Sequence, residues 1–196
     1  YQKTYKEPNI VFKQRKKQYI LDKEILLDYF KDKKNKNILD FGCGSNFKKL
    51  ISIYKDCQSI TAVDRTGSDF KIKDFYFYNY QDDLNILEKK IMRQKFDVVI
   101  LGAVIEHLDK PELVLNILKK RLSDDGIIFL TAPSWASKPV LEFLGYKLNI
   151  INADLVREHK RYYDLDEYKK LSKLIKKDIK KFYFFQLGLN TVCILR

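Results

Sequence analysis

Cysteine is scarce in this chain. Cys43, Cys57 and Cys193 are odd in number and scattered, with neither the pairing of a disulfide framework nor the spacing of a metal site. That argues against a stapled extracellular scaffold, so a reduced, cytoplasmic setting with no bound metal is the expectation. Long apolar runs are absent as well: Val98–Ile105 stops at Glu106, far short of the roughly 18 residues of a membrane span. There is no internal repeat and no low-complexity linker. No initiator Met stands first, and the opening residues are polar and charged, unlike a signal peptide.

What remains is a chain of 196 residues, 45% hydrophobic and 14% aromatic, enough for one ordinary domain with a buried core. Its formal net charge is +12, and 31 of its 38 basic residues are Lys. Lys here accompanies Ile, Asn, Tyr and Phe, which share A/T-rich codons, so genome composition explains part of the excess. The distribution is more telling. Residues 37–154 hold 16 basic and 16 acidic residues, while 1–36 and 155–196 each hold 11 against 5. Two readings of these ends stay open: a solvated lysine surface, or a basic rim facing an anionic substrate, nucleic acid or membrane surface.

The periodicity alternates between helix and strand. Ile20, Glu24 and Leu27 stack within a helix over 13–31, and Lys31–Asn37 is a polar break. Strands follow at Ile38–Phe41, Ser59–Val63, Phe75–Tyr80, Phe96–Leu101 and Ile127–Leu130, with a short helix at 46–54. The run Phe96–Leu101 is too apolar for a half-exposed strand, which implies a parallel sheet covered on both faces. Asp109-Lys110-Pro111-Glu112 reads as a capped helix start with proline in the first turn, running to Leu122 and stopped by Ser123–Gly126. Tyr168, Leu171, Leu174 and Ile175 mark a last helix whose other face carries Lys169, Lys170, Lys173, Lys176 and Lys177. Phe182–Gln186 and Thr191–Leu195 are close enough in sequence to be only a hairpin. The expected fold is therefore α/β: a Rossmann-like doubly wound sheet, mostly parallel, with one antiparallel terminal strand.

In such a sheet a ligand binds beyond the carboxyl ends of the strands, next to the first one. Ile38-Leu39-Asp40-Phe41-Gly42-Cys43-Gly44 supplies the apolar strand, an acid and a G-x-G turn, where glycines allow close backbone approach and positive φ. Asp64 ends the second strand about 20 residues on, placed to accept from both ribose hydroxyls. A dinucleotide loop requires a third glycine, and Phe47 stands there instead. The loop thus favours a smaller adenosine ligand, and an NAD-dependent oxidoreductase is disfavoured.

Together these motifs resemble those of class I S-adenosylmethionine-dependent methyltransferases of the type 11/23 kind. The resemblance rests on Leu39-Asp40-x-Gly42-x-Gly44 with Asp64, on Phe96-Asp97-Val98-Val99 and Glu106-His107-Leu108, and on Ser123–Ile128 followed by Ala132-Pro133-Ser134, so it covers roughly residues 36–134. Asp125 departs from the glycine usual there. The resemblance implies S-adenosyl-L-methionine as cofactor, its methionine portion near Asp40, Gly42, Cys43 and Gly44 and its ribose on Asp64 beside Arg65. It implies adenine near Asp82 or Asp83 and Leu84, and a lining by Leu101, Gly102 and Ala103. The chain divides as a single methyltransferase domain, 1–196: an N-terminal helical cap (1–36), a cofactor-binding core (37–134), a substrate lid (135–163), and the last helix with its terminal hairpin (164–196).

Methyl transfer to a hydroxyl needs a general base. The chain has two histidines, His107 and His159, each preceded by glutamate. His107 follows the fourth strand, on the ligand side; packing or helix capping is its other reading. Glu158–Tyr163 resembles the H-x-R-Y stretch of small-molecule and glycan-modifying members, which implies substrate roles for Arg161 and Tyr162, with Glu106 and Trp135 joining them. The long segment after the fifth strand is either a substrate lid or an inert packed excursion. Ala132-Pro133-Ser134-Trp135 does not match the Asn/Asp-Pro-Pro-aromatic motif of amino-methylating nucleic-acid enzymes. The expected function is methylation, through oxygen, of a small-molecule, sugar or glycan-linked acceptor. An RNA or protein methyltransferase using the basic ends, and a non-catalytic binding or regulatory protein of the same fold, are the alternatives.

Overall fold

The computed structural model describes residues 35–44, 57–148, 150 and 153–196. The helices expected at 13–31 and 46–54, the first of them the body of the 1–36 cap, lie outside the described residues, as does Phe47. Within them, one eight-stranded sheet runs in the order β3-β4-β2-β1-β5-β6-β8-β7. Its strands are β1 Asn37–Phe41, β2 Ser59–Asp64, β3 Phe70–Ile72, β4 Phe75–Asn79, β5 Phe96–Gly102, β6 Leu122–Pro133, β7 Ile179–Phe185 and β8 Asn190–Leu195. β1 pairs in parallel with β2 and with β5, β2 with β4, and β5 with β6. β8 runs antiparallel between β6 and β7, as the hairpin required. The strand order reverses between β1 and β5, so the loops leaving β1, β2, β4 and β5 share one edge, where open α/β sheets take ligands.

Alternation along each central strand builds two cores. Leu39, Phe41, Val63, Val99 and Leu101 belong to one buried cluster, Ile38, Ile60, Ala62, Val98 and Ile100 to the other. Successive side chains point to opposite faces, so both faces of these strands are covered. Burying one such aliphatic or aromatic side chain contributes about 1.5–3 kcal/mol.

The helices are α1 Leu84–Ile91, α2 Pro111–Lys119, α3 Ser137–Glu142, α4 Ala153–Arg157 and α5 Leu165–Ile175. Several expectations need correction. β3, a short antiparallel edge strand, is an addition to the expected set; Phe70 stacks on Phe75 and Phe77, with ring centroids 5.7 and 5.4 Å apart. α1 is also an addition, capped by the Asp83 carboxylate, which accepts from the Asn85 N–H at 2.7 Å. α2 begins at Pro111 as expected, but its N-cap is Lys110, with no side-chain cap bond. Asp109 instead pairs with Lys160 Nζ at 2.5 Å. The helix ends at Lys119, and Ser123–Gly126 lie inside β6, where the ladder to β5 is irregular between Phe96 and Val98. Gly126 is required there by close approach: a Cβ on it would stand 2.9 Å from the Phe96 carbonyl.

On α5, Tyr168, Leu171 and Ile175 are buried, but Leu174 is 64% exposed and belongs to the solvent face. That helix carries the full capping box, Asp164 accepting from the N3 amide and Glu167 from the Asp164 N–H. Between β6 and α5 the chain makes a helical excursion: α3, a π-helical turn at Phe143–Lys147, and α4. Its return is pinned to the sheet edge, the Lys160 N–H donating to the Glu106 carbonyl (2.8 Å) and the Tyr163 N–H to that of Pro133 (2.9 Å). Among the described residues no helix is long and apolar enough to cross a membrane.

Candidate functional site

The loop after β1 is tied to the end of β2. The Gly42 N–H donates to the Val63 carbonyl (2.8 Å), and the Gly44 N–H to Asp64 Oδ2 (2.8 Å). Gly42 and Gly44 have φ of 74° and 70°, values that glycine adopts without the penalty a Cβ brings. At Gly42 the space is closed too, since a Cβ would stand 2.4 Å from Val104 Cγ2. At Gly44 a Cβ would meet nothing within 4 Å among the described residues. Asp64 is braced twice more, Oδ1 accepting from the Thr66 N–H (3.2 Å) and hydroxyl (3.1 Å). Oδ2 still has a lone pair to offer an incoming hydroxyl, while both lone pairs of Oδ1 are engaged by Thr66.

The same edge continues through the loops after β4 and β5. Gln81 and Asp82 are both left-handed, with φ of 52° and 58°. Asp82 accepts from the Tyr80 hydroxyl at 3.1 Å and is exposed, whereas the Asp83 carboxylate is engaged as the α1 cap. Burial, with the Asp82 carboxylate beside it, pushes the Tyr80 hydroxyl well above its ordinary range. Ala103 is left-handed as well, its N–H held by the carbonyl (3.1 Å) and hydroxyl (3.0 Å) of Thr131. Of the expected lining residues, Leu101 is fully buried in one core cluster and Cys43 is buried in the cluster on the other face. Asp40 is buried at the end of β1, Leu84 is half-buried in the first turn of α1, and Arg65 is exposed.

A second cluster begins just past Val104, whose side chain packs against Gly42. A single 3-10 turn, Ile105–His107, follows β5 and brings Glu106 inward, 1% exposed. Residues 158–163 come down onto it from the excursion. His107 Nδ1 stands 3.3 Å from the Glu158 carbonyl, and His107 Nε2 3.9 Å from Glu106 Oε1. The His107 and His159 rings meet edge-on with centroids 4.9 Å apart. His159 meets Tyr162 at 5.7 Å, and Tyr162 meets Trp135 at 5.6 Å. One ligand atom from each of Glu106, His107 and His159 lies within 4.8 Å of the other two.

The expected acceptor residues thus converge, with one difference of role. The Arg161 guanidinium donates to the carbonyls of Leu108 (2.8 Å) and Asp109 (2.9 Å), which makes it a clamp between the excursion and the 106–109 loop. Burial raises the Tyr162 hydroxyl above its ordinary range, with Glu142, Tyr146 and Glu106 adding to the shift. Tyr163, which sequence reasoning passed over, is buried beneath the cluster with its hydroxyl pushed up to about 12 by desolvation. Its alternation with Tyr162 in an otherwise polar stretch was the available signal.

Comparison with known proteins identifies the family and the fold. A family model described as "Methyltransferase domain" matches residues 12–174. The chain is 29% identical over 145 residues to a ubiquinone biosynthesis O-methyltransferase of Rickettsia bellii, covering 70% of this chain and 55% of that protein. It therefore spans little more than half the length of that curated relative. Among solved structures, an S-adenosylmethionine-dependent methyltransferase from Archaeoglobus fulgidus superposes with a TM-score of 0.63 at 15% identity, over 91% of this chain and 93% of that one. The 1,6-didemethyltoxoflavin-N1-methyltransferase of Burkholderia thailandensis, solved with S-adenosylhomocysteine, gives 0.61 at 12% identity, over 91% and 77%. At such identities the structural likeness is one of fold.

Proposed function

The chain belongs to the class I S-adenosylmethionine-dependent methyltransferase family, and from that footing we propose that it methylates the hydroxyl oxygen of a small-molecule, sugar or glycan-linked acceptor. The single observation that carries this is adjacency. The glycine–Asp64 loop and the Glu106–His107–His159–Tyr162 cluster meet at the loop after β5, whose Val104 packs against Gly42 and whose following turn carries Glu106 and His107.

The donor end works by holding. Asp64 accepts from the ribose hydroxyls while the Gly44 N–H keeps its carboxylate aimed. Among the described residues the space beside Gly44 is open, and it is there that the methionine portion fits near Asp40. Asp82 faces the adenine, because Asp83 is engaged as a helix cap. The sulfonium is already activated, so orientation accounts for most of the chemistry, up to about 7–11 kcal/mol of barrier.

The acceptor end activates the hydroxyl. The Glu106–His107–His159 cluster draws off its proton, Trp135 and Tyr162 flank the acceptor's body, and residues 135–163 act as the lid. The oxygen lone pair forms the new O–C bond while the C–S pair returns to sulfur. The curated relatives named as O-methyltransferases support oxygen as the receiving atom.

Tritiated methyl transfer to fractionated cell extract tests the acceptor class. Label should collect in the small-molecule or glycan fraction; label in RNA or protein would replace this reading. With the acceptor in hand, His107→Ala and His159→Ala should each lower kcat about 10²-fold or more, the scale of a general base, while affinity for S-adenosylhomocysteine is kept. Wild-type turnover in both variants would remove the histidines from the mechanism.

A further inference from the structure

A folded chain ordinarily turns its large apolar side chains inward. The excursion between β6 and α5 does the reverse. Of the twelve large apolar side chains that stand exposed among the described residues, six lie on this one stretch: Trp135, Val140, Phe143, Tyr146, Leu148 and Ile150. What α3 and the π-helical turn bury fully is Ser137 and Gly145, with Leu141 and Leu144 half-buried. Small residues inward and aromatic and aliphatic ones outward suit an apolar medium outside the protein. We infer that the excursion is a docking surface for an anionic lipid bilayer, on which the molecule sits peripherally.

A second segment reaches the same place. The β7–β8 turn carries Leu187, wholly exposed and held left-handed at φ 58°. A leucine there is unfavourable twice, in backbone conformation and in wetted apolar area. Its turn is fastened to the foot of the excursion. The Ser134 hydroxyl donates to the Gly188 carbonyl (2.6 Å) and the Ser134 N–H to that of Leu189 (3.0 Å). Leu187 and Trp135 thus each follow or precede a residue of one hydrogen-bonded corner of the sheet.

Charge decides what covers the surface. Between Trp135 and Ile150 the cations are Lys138 and Lys147, both exposed. The one acid, Glu142, is half-buried and close enough to Tyr162 to help raise its hydroxyl. Lys138 Nζ stands 5.8 Å from the centroid of the Trp135 ring, and the Arg157 guanidinium 5.4 Å from that of Tyr146. Tryptophan and tyrosine collect at the headgroup level of a bilayer, and anionic headgroups attract lysine and arginine. Phe143, Leu148 and Ile150 then reach the acyl boundary. A second copy of the chain would instead bring the same lysines together, and a net charge of +12 opposes that pairing.

Trp135 and Tyr162 stand 5.6 Å apart, ring to ring, so the surface borders the acceptor cluster. Docking there turns the acceptor side of the molecule to the bilayer; that an acceptor is taken from the lipid side rests on the function proposed above.

Vesicle flotation tests the surface. The full chain is floated with vesicles of phosphatidylcholine alone and of phosphatidylcholine with about a third phosphatidylglycerol, whose charge should favour binding. It should rise with the anionic vesicles and less with the neutral ones. Salt of about 1 M, where screening acts within about 3 Å, should weaken the binding. Phe143→Ser with Leu148→Ser removes exposed apolar area and should lower the bound-to-free ratio at least about tenfold. Lys138→Glu with Lys147→Glu keeps that area and should also lower it at least about tenfold. S-adenosylhomocysteine affinity, kept in both variants, confirms their fold. No binding of the wild type to anionic vesicles, or equal binding by the Phe143→Ser, Leu148→Ser variant, overturns the surface. So does a dimer in analytical ultracentrifugation that the same two substitutions abolish, since a second copy then covers the patch. Vesicle binding without S-adenosylhomocysteine binding would uphold the surface and refute the donor reading instead.

Discussion

Asp64 acts on its own loop before it acts on any ligand. It accepts the Gly44 N–H and both donors of Thr66, so its carboxylate is oriented in advance. Hydrogen bonds to a charged group contribute about 1.5–3 kcal/mol each. Asp64→Ala should therefore weaken S-adenosylhomocysteine binding by about 10–100-fold by calorimetry, with Asp64→Asn in between; unchanged affinity in the alanine variant would place the ribose elsewhere. Gly42 is constrained differently, by φ of 74° and by Val104 2.4 Å from any Cβ. A non-glycine residue held left-handed costs about 1–3 kcal/mol, and the clash adds to it. Gly42→Ala should accordingly lower the unfolding free energy by at least about 1 kcal/mol, and adding Val104→Ala should recover only the steric part, as urea titration of the pair would show. Both residues were legible in sequence because strand, turn and acid stand at fixed spacing. That Asp83 rather than Asp82 caps the next helix was not, since both stand equally well before Leu84 in sequence.

At the scale of elements, chain segments with the same local signature took different structures. Asp109–Glu112 and Asp164–Glu167 both read D-x-x-E before an apolar run, yet only the second forms a capping box. Lys160 pairs with Asp109 from a distant segment, and Lys110 becomes the α2 cap. Local propensity cannot register such a long-range competitor. The buried strands β1, β2, β5 and the β7–β8 hairpin were readable because their apolar runs are unambiguous. β3 was missed because three residues give no period, and α1 because its start, Asp82-Asp83-Leu84, reads equally well as a loop. The Asp164 box also reaches the excursion, since its Oδ1 accepts from the Trp135 N–H at 3.2 Å. Asp164→Ala should cost about 1 kcal/mol, the ordinary loss for an N-cap, and should quicken hydrogen exchange at both the first turn of α5 and Trp135. Exchange limited to α5 would separate the cap from the excursion.

For the whole molecule, one core joins the site to the terminal hairpin. Tyr163, beneath the histidine cluster, Tyr168 on α5 and Cys193 on β8 belong to the same buried cluster. Desolvation raises Tyr163 from 10.0 to about 12, assisted by Glu106 and opposed by Arg161. It raises Cys193 from 9.0 to about 12, and Tyr168, fully buried, is pushed well above its ordinary range. Each group holds its proton more tightly folded than unfolded. Their stabilising contribution is complete below about pH 9, where both states are protonated. It is lost as pH climbs toward 12, because the unfolded chain ionises first and binds fewer protons than the native one. Each such group contributes a slope of up to about 1.4 kcal/mol per pH unit across its own window. The urea midpoint should therefore hold near pH 8 and fall progressively from 9 to 11. Cys193→Ala should flatten the descent from its onset and Tyr163→Phe only above about 10, the order of their unfolded values. A midpoint at pH 11 equal to that at pH 8 would mean that these side chains are solvated in the native state, and with them the packing beneath the histidine cluster.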